Sequence, residues 1–271
     1  MAGHLPNFLL IGAMRSGTSS LARWLRGHPE IFLAVPKELH YFDREHERGV
    51  AWYQERFADV ADETAVGEAT PSYLYRVDAV ERMAALVPDA RLLVILREPV
   101  ERAYSHYWLE RQRGREPRSF AAAMAAEQGG RPEVPGRLAY LDRSRYLPQL
   151  ERLCRHYPRS AVHVALFDDL VDQPAAAFAA VCRFLGVDDA VIPSEVGSAV
   201  NASVSFRSLR VRRLVKDLPG PLRRVADRLN THRFAYPPID RGLAAQLRAS
   251  LADDNRSLAQ WLGRDLSAWS T

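Results

Sequence analysis

The sequence has little cysteine, almost no lysine and no long hydrophobic run. Only two of the 271 residues are cysteines, which excludes a fold held by several disulfides, and we expect Cys154 and Cys182 to be reduced residues on apolar helix faces. The longest apolar runs, residues 8–14 and 92–96, fall far short of the roughly 18–20 residues that span a bilayer. No basic segment precedes the first run, as it would in a secretory signal. We therefore predict a cytoplasmic protein with no membrane span.

Low-complexity tracts and internal repeats are also lacking. Because 47% of the residues are hydrophobic and the length suffices for one sizeable core, we expect a single domain over residues 1–271. Of the 37 basic residues, only Lys37 and Lys216 are lysines. Arginine recognises phosphate and sulfate through a planar, bidentate group, so the many arginines favour an anionic ligand. A G+C-rich genome is the alternative explanation for most of them.

Apolar segments of alternating type predict an α/β fold with a central, mainly parallel sheet flanked by helices. The predicted strands cover residues 7–11, 91–96 and 161–167. The predicted helices cover residues 19–27, 119–127, 145–157, 174–185 with Asp172 as cap, and about 240–262. Residues 129–136 are predicted to form a mobile loop that can act as a lid. Residues 191–271 are predicted to be a mostly helical part of the same domain.

The strand predicted at residues 91–96 is apolar throughout, so we expect it to be covered on both faces. It leads into a helix that begins at Pro99. Helical spacing predicts one buried stripe on this helix, with Arg102 and Ser105 on its other face. The stripe comprises Val100, Ala103, Tyr104, Tyr107 and Trp108.

Residues 12–20, G-A-M-R-S-G-T-S-S, lie directly between the first predicted strand and the first predicted helix. A helix N-terminus offers free N–H groups and a positive dipole end, so this segment predicts an anion-binding loop. It is close to the nucleotide-binding pattern G-x-x-x-x-G-K-[ST], with Gly12 and Gly17 at the glycine positions. Thr18, however, occupies the lysine position, and the cation is Arg15.

Arg97 follows the strand at residues 91–96, where an ATPase or GTPase would place an acid that holds Mg²⁺. A cation at this position suits a bare phosphate, so we predict a phosphorylated nucleotide that is bound without magnesium. The alternative for Arg97 is a structural salt bridge with Glu98 or Glu101.

Four ordered segments resemble the sulfotransferases that use 3′-phosphoadenosine 5′-phosphosulfate (PAPS), above all the carbohydrate and heparan sulfate branch and its bacterial relatives. Two of them are residues 12–20 and R-E-P-V-E-R-A-Y-S at residues 97–105. The others are K-E-L-H-Y-F-D at residues 37–43 and G-E-A-T-P-S-Y at residues 67–73. Later pieces of the family pattern agree as far as F-L-G at 184–186, and the resemblance covers about residues 7–215.

The resemblance implies a P-loop-like three-layer fold and a metal-free PAPS site that leaves adenosine 3′,5′-bisphosphate as product. In this family the loop after the first strand binds the 5′-phosphosulfate, and Arg97 and Ser105 correspond to the residues that bind the 3′-phosphate. Arg207 lies where family members have a loop that closes over the nucleotide, from which it can reach the 3′-phosphate. The alternative is an ordinary exposed arginine at the start of a helix. The loop residues concerned here are Arg15, Ser16, Gly17, Thr18, Ser19 and Ser20.

Glu38 is the general base that the resemblance implies, with His40 bonded either to Glu38 or to the acceptor. The alternative is that Lys37 and Glu38 form an exposed ion pair and His40 packs against Tyr41. Another branch of the superfamily uses a histidine base, but His106 follows Ser105 on a helix and would point away from the sulfate.

Two positions depart from the family pattern. Arg15 stands where many members carry lysine, and a guanidinium supplies fixed charge and two donors to the leaving phosphate equally well. Ala69 stands where some glycan-modifying members carry a second lysine. The absence of this lysine argues against a heparan-like acceptor.

These observations predict a sulfotransferase that moves the sulfuryl group of PAPS to a hydroxyl, or less readily an amine, of a small-molecule, glycan or glycolipid acceptor. A magnesium-dependent P-loop kinase stays open as an alternative, although Thr18 and Arg97 oppose it. A non-catalytic polyanion-binding protein also stays open, but residues 207–213 interleave no stacking aromatics with their arginines, so no nucleic acid partner is expected. Aromatic residues that either stack on an acceptor ring or belong to the core are Trp52, Tyr53, Tyr73, Tyr75 and Tyr140.

Overall fold

The computed structural model describes residues 3–129, 136–198, 204–206, 231–233 and 236–270. Its centre is a five-stranded sheet in which all neighbouring strands are parallel, in the order β2-β3-β1-β4-β5. The strands are β1 (Phe8–Gly12), β2 (Ile31–Leu33), β3 (Ala65–Ala69), β4 (Arg91–Leu96) and β5 (Val162–Leu166). The predicted α/β fold with a parallel sheet is confirmed.

Helices connect the strands and cover the sheet. They are α1 (Thr18–Arg26), α2 (Gly49–Gln54), α3 (Val77–Leu86), α4 (Pro99–Gln112), α5 (Phe120–Gln128), α6 (Tyr146–Cys154), α7 (Phe167–Asp172), α8 (Pro174–Leu185), α9 (Arg241–Ser250) and α10 (Ala252–Leu262). The region predicted to be mostly helical also contains an antiparallel pair, β6 (Val204–Phe206) and β7 (Thr231–Arg233). Among the described helices, none is long and apolar enough to cross a membrane.

Alternate residues of the central strands pack against two helical layers. Leu9 of β1 lies in a core cluster with residues of α3, α6 and α10, whereas Phe8 lies in a second cluster with residues of α1 and α8. Val94 and Ile95 of β4 alternate between the same two clusters. Helices on both faces make a three-layer fold, and β4 is covered on both faces, as its unbroken apolar sequence predicted.

The strand order determines where a ligand can bind. The chain passes from β1 towards β2 and β3 on one side and later to β4 and β5 on the other, so the order reverses between β1 and β4. In open parallel sheets, ligands bind beyond the carboxyl ends of the strands at such a reversal. Gly12 ends β1 and Arg97 follows β4, so the two predicted phosphate-binding segments flank this crevice.

Sequence patterns located several apolar elements and missed others of similar length. β4 and α8 have their predicted bounds, and β1, α1 and α5 each differ from prediction by one residue at either end. The elements β2, β3, α2 and α3 were not predicted. β3 contains Gly67 and Glu68, which are poor strand formers. Gly67 is needed at its position, because a Cβ there would lie 2.5 Å from the ring of Phe8.

Several helix details correct the predictions. Arg102 and Ser105 lie outside the predicted stripe of α4 but are buried too, because a later segment of the chain covers that face. Asp172 ends α7 and does not cap α8, whose N-cap is Gln173. The predicted closing helix consists of α9 and α10, which meet at Leu251.

Both cysteines are unpaired, as predicted. Cys182 is buried in α8 and Cys154 is partly buried in α6. Two predicted features cannot be placed: residues 130–135 of the candidate lid and Arg207, with the arginines that follow it, lie outside the described residues.

Candidate active site

Residues 12–20, here called the donor loop, join β1 to α1. Gly17 has φ = 93° and forms the N-cap of α1, a conformation that glycine adopts without strain. A Cβ at Gly17 would lie 3.0 Å from the ring of Phe167. The first N–H groups of a helix lack intrahelical partners, so this end of α1 can bind an anion. The buried members of the loop include Ser16 and Thr18, and the partly exposed members include Arg15, Gly17, Ser19 and Ser20.

Arg15 connects the donor loop to two distant parts of the chain. Its Nε donates to Ser105 Oγ of α4 at 3.0 Å, and its Nη2 donates to Tyr236 Oη at 3.0 Å. Burial lowers the pKa of the guanidinium, Tyr236 opposes this shift, and the positive charge of Arg97 adds to it. Arg15 and Ser105, which were predicted to bind different phosphates of one nucleotide, are therefore in direct contact.

Arg97 lies at the other side of the crevice, directly after β4. Its Nη2 lies 3.1 Å from Glu101 Oε2, and its guanidinium stacks 4.8 Å from the centre of the Phe167 ring. The salt bridge considered as an alternative is thus present, with Glu101. Because the Glu101 side chain is 43% exposed, the pair adds little stability.

Residues 37–43, here called the base loop, follow β2 and carry a chain of charged contacts. Lys37 Nζ donates to Glu38 Oε1 at 2.8 Å, and His40 Nε2 lies 3.7 Å from Glu38 Oε2. On its other side, His40 Nδ1 bonds Asp43 Oδ1 at 2.9 Å. Ser72 Oγ donates to Asp43 Oδ2 at 2.7 Å. The predicted base and its histidine are therefore adjacent, and Asp43 holds the histidine from behind.

These contacts shift the pKa values of the base loop in opposite directions. The His40 imidazolium lowers the pKa of Glu38 to about 2, against partial burial and with a contribution from Lys37. Burial alone would lower the pKa of His40, but its bonds to Asp43 and Glu38 raise it to about 9. At neutral pH Glu38 is a carboxylate and His40 an imidazolium.

Arg15, Glu38 and His40 share an uncommon backbone conformation. Their φ angles are 75°, 67° and 57°, and within the described residues they are the non-glycine positions with positive φ. A left-handed conformation costs such a residue roughly 1–2 kcal/mol, and strain of this kind clusters at functional sites. The backbone thus singles out the same three residues that the sequence resemblance assigned to catalysis.

Sequence reasoning missed three residues that complete the site. Asp43 lies within the quoted segment 37–43, and Ser72 lies within the quoted segment 67–73. The spacing of Asp43 three residues after His40 was an available signal. Tyr236 had no such signal, since it is 221 positions from Arg15 and comes from the segment before α9.

α4 brings two buried side chains behind the donor loop. Arg102 is fully buried and donates to Met14 O at 3.3 Å, to Ser144 Oγ at 2.8 Å and to Tyr140 O. The His106 ring packs 4.8 Å from that of Tyr140. Burial, with the charge of Arg102, lowers the pKa of His106 well below its usual value. His106 is therefore a neutral core residue.

Most aromatic residues considered for acceptor binding belong to the core. Tyr53, Tyr73 and Tyr140 are fully buried. Trp52 is partly buried, and the guanidinium groups of Arg48 and Arg56 each lie over its ring at 4.9 Å from the centre. Tyr75 is also partly exposed, and the Arg143 guanidinium lies 4.0 Å from its ring centre.

Tyr75 and Arg143 line a small pocket beside the donor loop. The pocket also contacts Ala13, Met14, Pro71, Leu74, Arg102 and Gln149. Burial, then the charge of Arg102, lowers the pKa of Arg143 to about 10. Within the described residues neither arginine has a carboxylate oxygen within 4 Å, so this pocket is electropositive. Nor do the described residues gather three or more His, Cys, Asp or Glu side chains that could hold a metal ion.

Comparison with known proteins decides the family. A sulfotransferase family model matches residues 50–190. The chain belongs to the sulfotransferase family. Heparan sulfate glucosamine 3-O-sulfotransferase 6 of Homo sapiens is 30% identical over 260 residues, which cover 96% of this sulfotransferase and 72% of the human protein.

Other relatives support the same family. Heparan sulfate glucosamine 3-O-sulfotransferase 3A1 of Mus musculus is 29% identical over 261 residues, covering 96% of this chain but 64% of the mouse protein. The chain thus spans somewhat less than two thirds of that relative. A sulfotransferase from Alicyclobacillus acidocaldarius superposes with a TM-score of 0.77 and 29% identity, covering 99% of this chain and 100% of that one. The predicted P-loop-like fold and sulfotransferase resemblance are confirmed.

Proposed function

We propose that this sulfotransferase transfers the sulfuryl group of PAPS to a hydroxyl of a glycan or small-molecule acceptor, with Glu38 as general base. The observation that carries the proposal is the strained backbone at Arg15, Glu38 and His40, on loops that follow β1 and β2 at one edge of the sheet. The donor loop supplies a cation, Arg15, for PAPS. The base loop supplies a carboxylate–imidazolium pair, Glu38 and His40, for the acceptor.

The donor half offers groups that suit a nucleotide with two phosphate ends. Arg15 and the N-terminal turn of α1 supply fixed charge and N–H donors for the 5′-phosphosulfate. Arg97 and Ser105 supply a charged and a neutral donor for the 3′-phosphate. When PAPS binds, Ser105 and Glu101 give up their present arginine partners.

The transfer requires proton removal and charge stabilisation at the same moment. The acceptor oxygen forms a bond to sulfur, Glu38 takes the acceptor proton, and the bond between sulfur and the 5′-phosphate oxygen breaks. Its electron pair stays on the phosphate, and Arg15 stabilises that charge. PAPS supplies the sulfuryl group. The chain's own residues orient the reactants, with Glu38 as the base and Arg15 as the cation that stabilises the leaving phosphate.

Glu38 is too acidic in its present contacts to be an efficient base, since its pKa is about 2. Lys37 occupies Oε1, the oxygen that does not face His40. We infer that the acceptor hydroxyl takes the place of Lys37 there, which raises the pKa of the carboxylate towards the useful range. His40 keeps the other oxygen fixed.

The pocket at Arg143 supports an acceptor with an anionic group near its hydroxyl. The Nε of Arg143 donates to Gly136 O at 3.1 Å, and among the described residues its two terminal nitrogens have no hydrogen-bond partner. A carboxylate or sulfate can bind them bidentately. Relatives named for heparan sulfate glucosamine act on an anionic glycan. Ala69, however, stands where some glycan-modifying members carry a lysine. We therefore propose an acidic sugar as the acceptor, without specifying heparan sulfate.

Sulfuryl transfer from ³⁵S-labelled PAPS to a panel of acidic and neutral hydroxylated acceptors tests the function. Calorimetry alongside compares adenosine 3′,5′-bisphosphate, ATP with Mg²⁺ and an oligonucleotide. We expect the bisphosphate to bind and label to appear on an acidic acceptor. Tight binding of ATP that depends on Mg²⁺, with no binding of the bisphosphate, would support the kinase alternative, and binding of the oligonucleotide alone would support a polyanion-binding protein.

A further inference from the structure

Glu68 of β3 is a buried carboxylate that the proposed mechanism does not use. Its exposed fraction is 1%. Oε1 accepts from Tyr53 Oη and Tyr73 Oη at 2.9 Å each, and Oε2 accepts from Thr70 Oγ1 at 2.7 Å. No cationic nitrogen of the described residues lies within 4 Å. Three hydroxyl donors thus solvate one buried carboxylate beneath the base loop.

Two of those hydroxyls extend to the backbone of the base loop. Thr70 Oγ1 accepts from His40 N at 3.4 Å, and Tyr73 Oη accepts from Phe42 N at 3.3 Å. A hydroxyl that donates to a carboxylate is polarised and becomes a better acceptor. Glu68 therefore acts on two backbone N–H groups through hydrogen-bond relays. One relay runs through Thr70 to His40 N, and the other runs through Tyr73 to Phe42 N.

The base loop needs such support because its backbone is strained. Glu38 and His40 both have positive φ, and the backbone N–H of Glu38 donates to Ala69 O at 3.0 Å. Bonds from β3 and the segment after it thus fix residues 38, 40 and 42. If the relays were lost, relaxation of His40 would change its distance from the Glu38 carboxylate.

We propose that Glu68 is a positioning residue for sulfuryl transfer, which holds the base loop through Thr70 and Tyr73 and so sets the contact between Glu38 and His40. This inference rests on the proposed role of Glu38. Burying a carboxylate costs desolvation free energy, so an apolar residue of similar volume would commonly give a protein of equal or greater stability. The relays provide the reason for a carboxylate at this position.

The structure offers a matched pair of variants. Tyr53→Phe and Tyr73→Phe each remove one hydroxyl that donates to Glu68 Oε1 at 2.9 Å, from rings that are both fully buried. Only the Tyr73 hydroxyl also holds a base-loop N–H. Thr70→Val removes the second relay without changing side-chain shape, and Thr70→Ser retains it.

We expect Tyr73→Phe and Thr70→Val to lower kcat roughly 10- to 100-fold, the scale of a displaced catalytic group, with donor affinity unchanged. Tyr53→Phe should stay within about threefold of the wild type at a similar loss of Tm, and Thr70→Ser should restore most of the rate. Equal kcat losses in the two Tyr variants, in proportion to Tm, would reduce Glu68 to a structural role and overturn the inference.

NMR titration of His40 gives a second readout that needs no acceptor. The charged groups that influence His40 are Glu38, Asp43 and Arg44 of its own segment and Glu68 of β3. In Tyr73→Phe and Thr70→Val the pKa of His40 should fall from about 9 towards its usual value, whereas in Tyr53→Phe it should not change. An unchanged pKa in all three variants would overturn the inference.

The two readouts separate this inference from the proposed function. If Glu38→Gln retained full turnover, the base role would fail, while the His40 titration would still test the relays. If Glu38→Gln were inactive and Tyr73→Phe fully active with an unshifted His40, Glu68 would not position the base. Glu68→Gln serves as a further variant, and the tyrosine pair decides the question even if Glu68→Gln does not fold.

Discussion

The site has a donor half, Arg15 and Arg97, and a base half, Glu38 and His40. The two halves are held in different ways. Arg15 and Arg97 are held by groups that a ligand can displace: two hydroxyls and a half-exposed glutamate. His40 is held by Asp43, whose side chain is 3% exposed, and by relays that end on the buried Glu68, and His40 in turn contacts Glu38. On the proposed function, the donor half exchanges its arginine partners when PAPS binds, whereas in the base half only Lys37 is exchanged and the contacts of His40 are in place before the acceptor binds.

The charges of the two halves explain this difference. Burial and the neighbouring Arg97 both disfavour the cation at Arg15, so a bound phosphate relieves an existing electrostatic cost. In the base loop, Lys37 and His40 already balance Glu38 and Asp43. Substitution of Arg97 should therefore change affinity, substitution of Arg15 should change both affinity and turnover, and substitutions in the base half should change turnover.

The largest effect is expected from Glu38→Gln. The amide keeps the shape of the carboxylate but cannot take the acceptor proton, so kcat should fall by roughly 10²- to 10⁴-fold. Affinity for adenosine 3′,5′-bisphosphate should stay within about twofold, as measured by calorimetry. A large loss of nucleotide affinity would show that the two halves are not separate.

A smaller effect, on affinity alone, is expected from Arg97→Ala. Charge-assisted hydrogen bonds contribute roughly 1.5–3 kcal/mol, so binding of adenosine 3′,5′-bisphosphate should weaken about 10- to 100-fold. AMP lacks the 3′-phosphate and provides the control ligand, whose affinity should barely change. Equal losses for both nucleotides would mean that Arg97 is structural.

The pH dependence should come from His40 above neutrality. Its pKa is raised from 6.5 to about 9, so its contribution to folding is complete below pH 6.5 and is lost as pH rises through 9. Glu38, lowered from 4.5 to about 2, contributes above pH 4.5 and loses its effect as pH falls through 2. The value of kcat/KM, which reports the groups of the free enzyme, should therefore be level between pH 5 and 8 and fall about fivefold between pH 9 and 10. A His40→Gln variant that kept the alkaline limb would assign it elsewhere.

The smallest effect is expected from metal removal. Arg97 occupies the position where a magnesium-dependent P-loop enzyme needs an acid, so turnover with PAPS should change less than about twofold in EDTA. The assay compares dialysed enzyme with and without chelator at one ionic strength. Loss of activity that Mg²⁺ restores would contradict a metal-free donor half.

The donor half was more readable from sequence than the base half. A strand end, a glycine turn and a helix N-terminus are consecutive in the chain, so residues 12–20 and Arg97 were recognisable from local pattern. The base loop was recognisable only as a family segment, because β2 has three residues and β3 contains Gly67 and Glu68. A polar residue in a short strand gives no periodic signal.

The sequence by itself determined the α/β alternation, the glycine turn at Gly17 and the cation after β4. These depend on neighbouring residues, whose geometry follows from local sterics and hydrogen bonding. Only the tertiary structure decided that Arg15 meets Ser105 and Tyr236 and that Glu68 supports the base loop. Those contacts join segments up to 221 residues apart, and the partner of a buried charge is set by how such segments pack, which no local pattern encodes.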